Sequence, residues 1–273
     1  MNNAPTEHPP ERKVRLVAVH SFRGGTGKSN LSANLAFLAA REGARVAVLD
    51  TDLQSPGVHV LFGVEPGRVL RSLSDFVQGQ CELKEVAIDL TSEMGLDEHG
   101  GQLLLLPSSL KLEAITAILS KGYEVARLNE EMLRLGEELE LDYLILDTHP
   151  GLNRETMLSL AISDTVLVLI RPDRQDFHGT AVLVQVAEKV GVPSLLFVAN
   201  KVSEGQQASE IGARIEEAFG FPVAGVLPLC EELLRLGSGG VFAAGNERHP
   251  FTRELERIAQ RILPVPVDSG GRS

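Results

Sequence analysis

Three apolar runs of four to six residues, at 143–146, 165–170 and 194–199, stand out along the chain. Runs that short and that unbroken mark strands covered by helices on both faces, as in a parallel sheet. Less perfect runs at residues 14–19, 45–49 and 103–106 read as further strands, and residues 85–88 as another. Elsewhere apolar positions recur about every 3.6 residues, which predicts helices over 30–41, 69–77, 110–119, 125–139 and 250–263. In the fourth of these, Leu128, Met132, Leu135 and Leu139 form one stripe, and the acidic residues around Glu130 and Glu137 fall between them. One buried and one solvated face follow from that spacing. Residues 91–101 are polar and read as a loop.

Repeated β-α units predict an α/β fold, a doubly wound, mostly parallel sheet flanked by helices. We assign residues 14–263 to a single domain. Residues 1–13, with three prolines and mixed charge, read as a disordered lead-in, and 264–273 as a flexible tail.

Composition narrows the function classes. With 273 residues and 43% hydrophobic content, the chain can bury one large core. No stretch approaches the roughly 20 uninterrupted apolar residues of a membrane span, and the first residues lack the apolar centre of a signal peptide. Cys81 and Cys230 are far apart and match no ligand spacing, so both are expected to be ordinary buried thiols in a reducing, cytoplasmic setting. The net charge is −11, with Lys and Arg scattered, so binding to nucleic-acid phosphates is not supported by charge.

The candidate chemistry lies between the first strand and the first helix. Arg23-Gly24-Gly25-Thr26-Gly27-Lys28-Ser29 is a glycine-rich turn that aims backbone N–H groups at the positive end of a helix dipole. Lys28 would reach β- and γ-phosphates, the Ser29 hydroxyl would take an Mg²⁺ position, and Asn30 begins the following helix. Phe22 stands where the ordinary P-loop has glycine, and Arg23 adds a second cation. Lys28 already serves the chain's own nucleotide, so Arg23 is expected to meet the phosphates of a nucleotide on a second copy. Asp147 ends an apolar run, as a Walker B carboxylate does, and is expected to help hold Mg²⁺. Asp50, at another strand end, is placed in support of that ion.

These residues resemble the signature of the MinD/ParA family of deviant Walker A ATPases, K-G-G-x-G-K-[ST], with Arg23 in the place of its first lysine. The resemblance covers about residues 14–263. It implies that Asp52, second Asp of Asp50-Thr51-Asp52, orients the attacking water. Asp147-Thr148-His149-Pro150-Gly151 is similar to the family's switch segment, with His149 expected to fill space. Asn200 would bond adenine, with Pro228 flanking the base. Ser203 occupies the place of the Asp that reads guanine in N-K-x-D, which favours ATP over GTP.

The implied activity is slow, Mg²⁺-dependent ATP hydrolysis by an ATP-bound homodimer, accelerated by a partner protein, in positioning or partitioning a cellular component. Two alternatives stay open. One is an ATP-binding regulator that does not hydrolyse, and the other is a metal-centre maturation ATPase, against which the lack of a Cys/His cluster counts. The last helix carries Phe251, Leu255, Ile258, Ala259 and Ile262 on one stripe, which reads as core packing, so no direct membrane anchor is expected.

Overall fold

The apolar runs become strands because they are covered twice, and the structure shows what covers them. The computed structural model describes residues 14–264 apart from 54, 110, 122 and 123; the expected lead-in, 1–13, and residues 265–273 of the expected tail lie outside the described residues. The strands are β1 Arg15–His20, β2 Arg45–Asp50, β3 Ile88–Asp89, β4 Gln102–Leu106, β5 Tyr143–Asp147, β6 Thr165–Ile170, β7 Ser194–Val202 and β8 Val223–Pro228. They form one sheet in the order β3-β4-β2-β5-β1-β6-β7-β8, parallel except where β3 meets β4. The helices are α1 Lys28–Arg41, α2 Val58–Leu61, α3 Leu73–Val77, α4 Leu112–Lys121, α5 Val125–Glu138, α6 Arg154–Ile162, α7 Arg174–Val190, α8 Ala208–Phe219, α9 Glu231–Leu236, α10 Phe242–Gly245 and α11 Pro250–Ile262.

Strand residues alternate between two cores. Val17, Val19, Val46, Val48 and Ile145 pack with α1, α10 and α11. Leu16, Ala18, Ala47, Leu49 and Leu144 pack with α5, α7 and α8. Helix α1 is buried on nearly every side, from Leu31 to Ala40, between the sheet and α11. The α11 stripe is core, as its spacing predicts: Phe251, Leu255, Ile258, Ala259 and Ile262 are all buried. No described helix is long and apolar enough to cross a membrane. On α5, Leu128, Met132 and Leu135 are buried against the other face.

Three expectations differ in detail. The helix predicted over 69–77 begins only at Leu73, because Ser72 and Asp75 form a capping box that starts it there. Residues 85–88 are mostly a 3₁₀ turn, and only Ile88–Asp89 pair with β4. Helices α6, α7 and α8 were not delimited from the sequence. The residues just before them are Asn153, Asp173 and Gln207, of which only the first two cap with their side chains.

Strand register places the functional ends side by side: Val19 pairs with Asp147, and Asp147 with Asp50. His20, last in β1, is fully buried beneath them. Thr148 Oγ1 donates to the Val19 carbonyl, so His20 Nδ1–H, 2.6 Å away, donates to that hydroxyl oxygen. Burial, then the Lys28 charge, pushes the His20 imidazole down to about 3.

Two outcomes are expected. Ile258→Ala should cost about 2–5 kcal/mol in urea unfolding, while Arg257→Ala, whose side chain is 70% exposed, should stay within about 0.5 kcal/mol; equal effects would contradict the core role of α11. Because His20 stays neutral when folded but takes a proton when unfolded, its contribution is present above pH 6.5 and lost as pH falls from there toward 3. The stability advantage of wild type over His20→Gln should therefore shrink as pH falls below 6.5, at a rate that approaches about 1.4 kcal/mol per pH unit near pH 5. An advantage independent of pH would contradict a buried neutral imidazole.

Candidate nucleotide-binding site

Residues 21–27 connect β1 to α1, and the turn works because Gly27 sits at φ +103°, in the left-handed region. A Cβ there would also fall 2.6 Å from Asn200 Nδ2. No side chain caps α1, so the N–H groups of its first turn remain available to an anion. Ser21, which the sequence did not single out, ties the loop together. Its hydroxyl donates to the Arg23 carbonyl at 2.6 Å and accepts from Thr26 Oγ1 at 2.9 Å and Lys28 Nζ at 3.2 Å. Burial pulls the Lys28 ammonium down, against the opposing pull of Asp147 and Asp52. A buried cation partnered by one hydroxyl suits a phosphate oxygen.

The carboxylates lie across from it. Asp147 accepts from Ser29 Oγ at 2.6 Å and from Ser32 Oγ at 3.0 Å; Ser32 was also missed. Burial raises Asp147 to about 6, although both serine bonds and Lys28 lower it. Asp50, fully buried, is raised well above the usual carboxylate range by burial and then by the Asp147 charge. Its oxygens nevertheless accept from the amides of Asp52, Gly57 and Val58, which closes the loop that carries Asp52. Carboxylates and a hydroxyl make an all-oxygen donor set, crowded with negative charge, which fits a hard divalent cation such as Mg²⁺. Asp52 itself makes a turn: Oδ1 accepts from the Ser55 amide at 2.9 Å.

Arg23 turns away from Lys28. Its guanidinium lies 3.4 Å from Asp176, in the first turn of α7, and 3.7 Å from Asp173, the residue that caps that helix, and its side chain is 38% exposed. Arg171 binds both Asp176 oxygens at 3.0 and 3.1 Å. Burial raises the Asp176 carboxyl, but its bonds to Arg171 and the charges of Arg171 and Arg23 outweigh this, leaving it below the usual range. Phe22 explains its own departure from the glycine pattern. Its ring fills the space over Gly179 of α7, where a Cβ would fall 1.9 Å from Phe22 Cδ1. The loop is thus seated on α7 through an aromatic knob and an ion pair. The switch segment packs alongside, with the Gly151 amide bonded to the Ser21 carbonyl and Pro150 within 3.8 Å of the Cβ position of Gly24. His149 Nδ1 meets the neighbouring Pro150 carbonyl at 2.7 Å.

A cleft of about 270 Å³ opens beside Gly25, Gly27 and Asn30, with Pro228, Leu233 and Phe251 among its walls. Among the described residues no carboxylate lines it, so the paired acceptor that reads the two guanine N–H groups is missing there. Asn200 stands at the cleft but is engaged with the chain: Nδ2 donates to the Thr26 carbonyl at 2.7 Å and Oδ1 accepts from the Lys201 amide. Lys201, unremarked in the sequence, donates to the Gly25 carbonyl at 2.8 Å. A larger groove, about 490 Å³, lies between α7 and α8 around Phe177 and Arg214, and contains none of the P-loop residues. The two cysteines depart from expectation. Cys81 is only half-buried, and Cys230, though buried, comes within 4.8 Å of Glu232 and His249 ligand atoms. Eighteen residues lie between Cys230 and His249, so no local spacing announces the cluster.

Known proteins share this arrangement. Residues 14–193 match the family described as AAA domain. An uncharacterised ATP-binding protein of Methanocaldococcus jannaschii is 27% identical over 213 residues, 78% of this chain and 73% of that protein. The antiactivator FleN of Pseudomonas aeruginosa is 25% identical, covering 94% of this chain and 87% of FleN. The septum site-determining protein MinD from Pyrococcus horikoshii, solved with Mg-ADP, superposes with a TM-score of 0.76 at 20% identity, over 92% of this chain and 96% of that one. With its Gly24–Ser29 loop, its buried Lys28 and Asp147 opposite Ser29, the chain belongs to the AAA-domain family as an ATP-binding P-loop ATPase of the MinD/ParA kind.

Proposed function

We propose that this chain is an ATP-dependent dimerisation switch with slow hydrolysis, acting in the positioning or partitioning of a cellular component. The observation that carries the proposal is Arg23. A second cation on the phosphate loop points away from the chain's own Lys28 and rests, partly exposed, on the rim formed by Asp173 and Asp176. From there it is available to a nucleotide on a second copy. The kinship with a septum site-determining protein supports the positioning role.

In this reading the α1 N-terminus and Lys28 neutralise the phosphates, and Ser29 and Asp147 would hold Mg²⁺ with Asp50 in support. Mg²⁺ held by these residues would supply positive charge that offsets the phosphates. Asp52 keeps one carboxylate oxygen, Oδ2, without a hydrogen bond among the described residues, and that oxygen would orient water toward the γ-phosphorus and accept its proton. The water oxygen bonds to phosphorus as the bond to the β-phosphate oxygen breaks. Arg23 from the second copy would stabilise the charge on the departing oxygens. The loop carrying Asp52 is fixed by Asp50 and Ser55, so hydrolysis is slow until a partner protein rearranges it. Direct contact with duplex DNA is not part of the proposal, given a net charge of −11.

Complementation tests this arrangement. Arg23→Ala and Asp52→Ala should each lower phosphate release at least about tenfold, the conservative end of what such groups supply. Mixing the two variants should restore a substantial share, because the Arg23→Ala site keeps its own Asp52 and receives Arg23 from the other chain. Recovery absent at every mixing ratio, with both variants still binding ATP, would show that Arg23 does not act across a dimer.

A further inference from the structure

Three potential metal ligands meet where two helices begin, beside the base cleft. Cys230 precedes α9, Glu232 lies in its first turn, and His249 precedes α11. Cys230 Sγ is 3.6 Å from Glu232 Oε2, and His249 Nε2 is 3.8 Å from the same oxygen. Zinc bonds of roughly 2.0–2.3 Å at tetrahedral angles hold ligand atoms roughly 3.3–3.6 Å apart, so only small side-chain movements separate this trio from coordination. We propose that Cys230, Glu232 and His249 form a Zn²⁺ site with an open fourth position. A thiolate, an imidazole and a carboxylate suit this borderline-soft ion and not Mg²⁺, whose hard oxygen donors lie at Ser29 and Asp147.

The surroundings hold the ligands in place. The thiol accepts from the Leu233 amide at 3.4 Å, and the imidazole sits edge-on to Phe242 with centroids 5.2 Å apart. His249 Nδ1 accepts from the Phe251 amide at 3.1 Å, which leaves the ring proton on Nε2. Metal binding therefore has a defined proton balance. The thiol proton leaves to solvent, the ring proton moves from Nε2 to Nδ1, and the Phe251 amide loses its acceptor. Losing one helix cap weakens binding roughly fivefold, which a three-ligand site tolerates. Cys230, Leu233 and Phe251 also wall the base cleft, so the ion would brace one side of it. The site is independent of the switch proposed above.

Cobalt substitution tests the site on the full chain without nucleotide. Co²⁺ titrated into the wild type and into Cys81→Ser should give a thiolate-to-cobalt charge-transfer band that saturates at about one equivalent per chain and disappears on adding Zn²⁺. Cys230→Ser should show no such band, and His249→Ala should bind at least about tenfold more weakly with unchanged circular dichroism. Co²⁺ at the Ser29–Asp147 oxygens gives no thiolate band, so the two sites are distinguishable. The proposal is overturned if the wild type shows no band, if the band survives in Cys230→Ser, or if it is lost in Cys81→Ser. Full-strength binding by His249→Ala would also overturn it, and that variant decides the matter should Cys230→Ser fail to fold.

Discussion

Asp147 is buried at the carboxyl end of β5, and both of its oxygens accept hydroxyl hydrogens from the start of α1, from Ser29 and Ser32. That contact fixes a helix to the sheet at the place where its N-terminus must face phosphate. It works because β5 lies between β1 and β2, in register with Val19 on one side and Asp50 on the other. A buried carboxylate is costly to keep charged, and burial accordingly raises Asp147 to about 6. The site thus holds a fold contact and a demand for positive charge in one group. Asp50, which burial also raises well above the usual carboxylate range, adds to that demand while it shapes the loop to Asp52.

The positive groups answer in two different ways. Lys28 is buried under the loop and held by Ser21, a place that in the proposed switch suits the nucleotide of its own chain. Arg23 lies outside, on α7, sharing Asp176 with Arg171. Because the Arg23 side chain is 38% exposed, that ion pair contributes little to stability, and its significance is positional. Phe22 on Gly179 supplies the firmer attachment, since a packed aromatic ring excludes water where the guanidinium does not. A glycine at position 22 would leave the loop seated on α7 by the ion pair alone.

Much of this was legible because it is local. The loop Arg23–Ser29 is contiguous, Asp147 directly follows its strand, and strands buried on both faces announce themselves by unbroken apolar runs such as residues 165–170, which became β6 without change. Contacts between distant segments left no such mark. Ser21, Ser32 and Lys201 are ordinary polar residues until the fold brings them to the loop, and Gly179 is an unremarkable glycine until Phe22 lies on it. Short elements were also obscured. Residues 85–88 look like a strand by composition, yet only two residues pair, because the sheet edge there offers a partner on one side alone. Asn200 was expected to bond adenine, while in the structure its amide bridges Thr26 and Lys201, a role that only the three-dimensional neighbourhood reveals.

In the proposed switch, nucleotide state sets the association of two chains through the loop that carries Arg23. Light scattering on the Asp52→Ala chain, without nucleotide, with ADP and with ATP and Mg²⁺, reads that association as mass. A monomer mass is expected in the first two conditions and a dimer mass with ATP, lost again when Arg23→Ala is added. A mass that is the same in all three conditions would contradict the switch.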